Sequence, residues 1–135
     1  MKKLLSISYS ASAFNLALLI LRIGAGVLLM AHGYDKLVHF ADYQKQFMSF
    51  LGLGSSFSLA LVVFSEFFCS IFVIVGLFTR FVSIPILIGL SVALFKAHHA
   101  DFFDTGEHAS LFILAFITIL LVGPGKVSVD GLINK

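Results

Sequence analysis

The stretch FNLALLILRIGAGVLLMAHG, residues 14–33, decides the fold class. It carries one strongly ionised side chain, Arg22, and has the roughly 20 residues that a helix needs to cross a bilayer. A second run, residues 57–78, repeats the pattern with Glu66 as its one charge. A third is apolar from Phe81 to Phe95, bounded by Arg80 and Lys96, and gives a span of about 81–97. The fourth opens with Glu107-His108 on its first turn and stops at Pro124, giving a span of about 107–123. These last two are short, which a small bundle accommodates by thinning the bilayer locally. All four runs are continuously apolar, without the alternation of a membrane barrel. The expected fold is all-α: a polytopic membrane protein built as a four-transmembrane-helix bundle, with residues 1–135 forming a single domain.

Composition agrees. Hydrophobic residues make up 59% and charged residues 12%, about half the charge of an ordinary soluble domain. The surface must therefore be largely apolar, which lipid tolerates and water does not. The formal net charge of +2 is small and its basic residues are scattered, which argues against nucleic acid as a partner. With no Trp in the chain, Tyr9, Tyr34 and Tyr43 are the candidates for an interfacial aromatic belt. Cys69 is the single cysteine, so no intrachain disulfide forms. The start, Met1-Lys2-Lys3-Leu4-Leu5, imitates a secretory signal, but Ser6, Ser8, Tyr9 and Ser10 break its apolar core, and cleavage is not expected.

The connections carry further expectations. Thr79-Arg80 reads as a tight link that makes the second and third spans an antiparallel hairpin. Residues 34–56 are longer, and Leu37, Phe40, Ala41, Phe47, Met48 and Leu51 recur at helical spacing. They predict a short interfacial helix in the first outer loop, ended by Gly52-Leu53-Gly54. Asp104, three residues before Glu107, predicts a capping pair. The flanking charges set the orientation. Lys2, Lys3, Arg80, Lys126 and Lys135 fall on one side, and Lys36, Lys45 and Lys96 share the other with most of the acids. Both termini are expected to be cytoplasmic.

Two charges lie inside spans, Arg22 and Glu66. A lone charge there costs about 2.5–3.5 kcal/mol. Pairing across the first two helices would relieve that cost, so an Arg22–Glu66 pair near mid-depth is expected. The helix face bearing Arg22 also carries Ala25, Gly26 and Gly33, which allow close helix approach. Such a pair either fixes helix register or serves a ligand or a proton. At the outer end His32, Asp35 and Lys36 meet Lys96, His98, His99, Glu107 and His108. This ring reads either as a solvated rim or as a polar mouth over an apolar pocket. The ligand-binding or proton-linked candidates are Arg22, Glu66, His32, Lys36, His98 and Glu107. The structural candidates are Gly26, Gly33, Arg80, Gly123, Pro124 and Gly125. Gly89, Ala93 and Ala97 form a small-residue packing surface on the third span. No His-x-x-x-His or Cys-x-x-Cys spacing occurs, and no metal site is expected. There is no phosphate loop, nucleotide fingerprint or hydrolase triad, hence no self-contained catalytic motif.

In order, the chain shows Leu21-Arg22 with Gly26, then His32-Gly33 with Lys36, then Glu66 and Gly76-Leu77-Phe78-Thr79-Arg80. His98, Glu107 and Gly123-Pro124-Gly125 with Ser128 and Asp130 complete the set. This ordered set, from about Leu19 to Leu132, resembles the DoxX family of small bacterial membrane proteins. The resemblance implies a four-helix inner-membrane protein associated with redox chemistry, with quinone as the candidate cofactor. Some relatives are membrane subunits of thiosulfate–quinone oxidoreductases. Against a complete unit of that kind, an extra helix and a soluble partner domain are expected to be missing here. The leading expectation is a redox-associated subunit that binds quinone or a small apolar ligand. The alternatives are a small transporter, or a membrane anchor for a soluble oxidoreductase. Its expected partners are the lipid bilayer together with a second copy of the chain or a soluble redox protein.

Overall fold

The computed structural model describes residues 4–47, 49, 52–97, 101, 103–104 and 106–134. His98, Met48 and Leu51 lie outside the described residues, so the expectations placed on them are not addressed by it.

Helix α1 spans Ala11–Val38, and the Ser10 hydroxyl opens it by accepting the Ala13 N–H at 3.1 Å. It runs past the predicted end at Gly33, because backbone helix bonds do not require apolar side chains. His32, Asp35 and Lys36 are therefore helical. Helix α2 is only Phe40–Gln44 and buries nothing, shorter than the interfacial helix expected. Leu37 belongs instead to α1. The Tyr43 hydroxyl donates to the Asp35 carboxylate and Gln44 donates to Ser56, tying α2 across the ends of α1 and the next helix. The Asp35 bond raises the Tyr43 pKa above its ordinary value, since it favours the protonated phenol.

Helix α3 covers Ser55–Val75 and α4 covers Thr79–Lys96. Each has one wider π turn, Phe64–Phe68 within α3 and Ala93–Ala97 overlapping the end of α4. Helix α5 is Glu107–Val122, and a final turn, α6, is Val129–Ile133. Among the described residues there is no strand. Among those residues three helices, α1, α3 and α4, are long and apolar enough to cross a membrane, while α5 has 16 residues. The chain is a helical membrane protein.

The helices pack as a ring in which α1 and α4 each touch both α3 and α5. Leu29, Cys69, Val73, Ile86, Phe116 and Ile119 fill the middle. The outward faces are Ile, Leu and Phe, including Ile20, Leu28, Ile88 and Leu114. A soluble protein would not leave such faces uncovered, and a lipid-facing bundle must.

The α3–α4 link is Gly76–Phe78 rather than Thr79-Arg80, which already form the first turn of α4. Gly76 adopts φ 76°, the left-handed conformation that lets the Leu77 N–H reach back to the Phe72 carbonyl at 2.9 Å. Phe78 also has positive φ, 50°. Its N–H donates to Asp130 Oδ1 at 2.8 Å, and the Thr79 N–H donates to Oδ2 at 2.9 Å. Asp130 thus caps α4 from the far end of the sequence. The expected Asp104–Glu107 capping pair does not form. Gly106 is the cap residue, and the Glu107 N–H meets the Asp104 backbone carbonyl at 3.2 Å.

Two glycines fix how α1 lies on α3. A Cβ on Gly26 would stand 2.7 Å from Ile74 Cγ1, and one on Gly33 would stand 2.6 Å from the Phe67 backbone nitrogen. The antiparallel register is therefore set: Gly26 faces Ser70 and Ile74, and Gly33 faces Glu66 and Phe67.

Candidate functional site

That register separates the two intramembrane charges. Glu66 lies level with Gly33, eleven residues along α1 from Arg22, or about 16 Å at helical rise. The expected Arg22–Glu66 pair is not present. Reading both as mid-depth residues placed them at one level, whereas helix packing sends them to opposite ends of the bundle.

Arg22 is 3% exposed and is occupied by backbone carbonyls. Its Nη1 donates to the Pro124 carbonyl at 2.6 Å, and Nε and Nη2 each reach the Ile74 carbonyl at 3.4 Å. The Ile74 carbonyl is an acceptor that a helix end leaves unused, and the Pro124 carbonyl belongs to the loop after Val122. Asp130 supplies the balancing negative charge nearby. Gly123-Pro124-Gly125 is thus the loop that the guanidinium holds, and Asn15 accepts the Lys126 N–H at 2.8 Å beside it. Arg80 acts similarly, donating to the Leu121 and Val122 carbonyls at 3.4 and 3.2 Å. Ser128 caps α6 through the Gly131 N–H at 3.0 Å. This end of the molecule is a knot of backbone ties, and Arg22 belongs to it.

Glu66 has a different partner. Lys36 Nζ meets Glu66 Oε2 at 2.7 Å, with side chains 21% and 12% exposed. The extension of α1 puts Lys36 one turn beyond Gly33 on the same face, and the close α1–α3 approach at Gly33 brings its ammonium down to Glu66. Glu66 sits in the π turn, where the extra residue re-aims side chains and which recurs at functional sites. Among the described residues Glu66 Oε1 has no hydrogen-bond partner.

The pair lines a cavity of about 770 Å³ enclosed by α1, α3, α4 and α5. That volume lies within the range of small-molecule pockets. Leu29, Val62, Leu90, Val92 and Phe112 are among the apolar residues of its wall. Ser65 faces Gly89 across the α3–α4 seam, where a Cβ would be 2.9 Å from the hydroxyl. His32 and His108 stand at the polar end, ring centroids 6.3 Å apart, and His32 packs edge-on to Phe112 at 5.7 Å.

Of the sequence candidates, the structure gathers His32, Lys36 and Glu66. Arg22 is elsewhere, and Glu107 is exposed on the first turn of α5 and does not line the cavity. His108, its neighbour, takes that place. Successive helix positions diverge by about 100°, so only one of the two can point inward. Among the described residues no three His, Cys, Asp or Glu side chains converge as metal ligands would.

The DoxX family profile matches residues 17–99, more than half of the chain, including Arg22, Lys36 and Glu66. The chain belongs to the DoxX family. This DoxX protein is also similar to inner membrane protein YqjF of Escherichia coli (strain K12), at 27% identity over 127 residues. The alignment covers 90% of this chain and 95% of that relative. No solved structure matches. The matched segment of this DoxX protein holds both the Arg22 knot's helix and three walls of the cavity, α1, α3 and α4.

Proposed function

We propose that this chain binds quinone, or a small apolar ring ligand of similar shape, as a redox-associated subunit of the bacterial inner membrane. The observation that carries this reading is the Lys36–Glu66 ion pair on the wall of an otherwise apolar cavity of about 770 Å³. The residues fit such a group. Lys36 has N–H donors beyond the one given to Glu66, and a ring carbonyl accepts from an ammonium. Glu66 Oε1 is available to accept from a ring hydroxyl. The pair is neutral as a unit, so it can stay in a largely apolar chamber. His32 and His108, at the exposed polar end, are placed to exchange protons with water. When bound, quinone supplies a carrier for two electrons and two protons. Electrons would come from a soluble redox partner or from a second copy of the chain.

The printed name of the Escherichia coli relative and the three long apolar helices support the inner membrane as the location. We take α5 as the fourth span. Its 16 residues give about 24 Å of helix, which a locally thinned bilayer accommodates. The excess of Lys and Arg at the Arg80 and Lys126 end supports cytoplasmic termini.

The test is a binding measurement on purified protein in lipid nanodiscs. Added short-chain benzoquinone should raise the thermal midpoint in a saturable way, and Glu66→Gln and Lys36→Met should abolish that rise. Protein that carries no quinone after mild extraction, and gains no stability from saturating quinone, refutes the reading.

A further inference from the structure

The exposed residues that line the cavity fall into two groups of opposite chemistry. Among its exposed lining residues, His32, Gln46 and His108 form one mouth, at the end of α1, after α2 and at the start of α5. The other three are Leu61, Phe64 and Ile88, exposed by 41%, 52% and 57%. They lie on α3 and α4, on faces that a helical membrane protein turns to lipid. Between them the seam is thin. It is bounded by the close contact of Gly89 with Ser65, where an added Cβ would stand 2.9 Å from the hydroxyl, and Pro85 lines the cavity from inside α4.

The inner charge narrows the choice of occupant. Lys36 is already neutralised by Glu66 at 2.7 Å, and among the described residues no other Lys or Arg lines the cavity. A fatty-acid carboxylate or a lipid phosphate set beside that pair, away from His32 and His108 at the polar mouth, would therefore bring an unbalanced anion into an apolar chamber, which is strongly unfavourable. An uncharged head that donates and accepts hydrogen bonds carries no such penalty.

We infer that the cavity is loaded sideways from the bilayer, through a window between α3 and α4 flanked by Leu61, Phe64 and Ile88, by an uncharged head whose apolar tail stays in that window. This rests on the ligand reading above and adds to it the route and the tail. The polar mouth then serves water and protons, and the apolar window serves the ligand.

Thiol labelling in proteoliposomes tests it without any activity assay. Cys69 is the single native cysteine and is buried, so Cys69→Ser gives a clean background for Ala93→Cys on the cavity wall. A lipid-soluble alkyl maleimide should label that thiol. Ile88→Trp, or independently Leu61→Trp, should slow the labelling at least tenfold by plugging the window. Labelling by a sulfonated, water-confined maleimide should keep its rate. Alkyl labelling unchanged by both plugs overturns the window. A decyl-tailed benzoquinone should protect the thiol at tenfold lower concentration than the tailless ring, and equal protection overturns the tail. If no quinone protects while both plugs still slow labelling, the route stands and the quinone reading falls.

Discussion

Replacing Gly33 with Ala perturbs both the packing and the cavity through one methyl group. The new Cβ would sit 2.6 Å from the Phe67 nitrogen and 2.7 Å from the Glu66 carbonyl carbon. Both are backbone atoms, so no side chain can swing away. Ordinary contact begins near 3.4 Å, and α3 must retreat from α1 by about 0.8 Å. Overpacking of this kind costs about 1–3 kcal/mol. The natural control is Gly24→Ala, where the added Cβ meets nothing within 4 Å. Both variants share the gain of about 0.5–1 kcal/mol from replacing a mid-helix glycine. The gap between them therefore isolates the clash, about 1–3 kcal/mol, or roughly 5- to 150-fold in the unfolding constant. Denaturant unfolding in detergent micelles, followed by far-UV circular dichroism, measures it. The same retreat lengthens the Lys36–Glu66 contact from 2.7 Å towards the limit of a hydrogen bond, so Gly33→Ala should weaken ligand binding as well. Equal stabilities for the two alanine variants would refute the close α1–α3 register and everything placed by it.

Three further outcomes are expected. In a double-mutant cycle, Lys36→Ala and Glu66→Ala should each destabilise more than half as much as the pair together, because either one alone leaves a partly buried charge; strict additivity would deny their coupling. Arg22→Ala and Glu66→Ala should add within about 0.5 kcal/mol, since they lie far apart with no shared partner, and a large interaction energy would restore the direct pair. Asp130→Ala should cost about 1–2 kcal/mol by freeing the Phe78 and Thr79 N–H groups, with part of the loss recovered in Asp130→Asn; hydrogen exchange at those two amides reads it out.

What the sequence by itself determined is the solvent and the class of structure. Continuous apolar runs of helical length admit only a helix in lipid, because every backbone polar group there must be satisfied within its own segment. The small residues Gly26 and Gly33 likewise announced a close helix contact, and both are buried in it. Gly123-Pro124-Gly125 announced a stop, and α5 ends at Val122. Membership of a polar mouth was legible for His32 and Lys36 as residue types at one end, whereas Glu66 reads in sequence as a mid-depth residue beside Arg22.

Tertiary structure decided which charge meets which. Sequence position gives depth along one helix, while pairing depends on the register between two, and that is set by backbone contacts at Gly26 and Gly33. A long side chain adds its own reach, so Arg22 turned to the carbonyls of Ile74 and Pro124, 52 and 102 positions away. The end of α1 also lay beyond sequence reading. Hydropathy falls at His32 while the helix continues to Val38, and that extra turn carries Lys36 to Glu66. The choice of His108 over Glu107 rests on the rotation of α5 about its axis, which neighbouring helices fix. Local pattern names the solvent of each segment, and only packing names its partners.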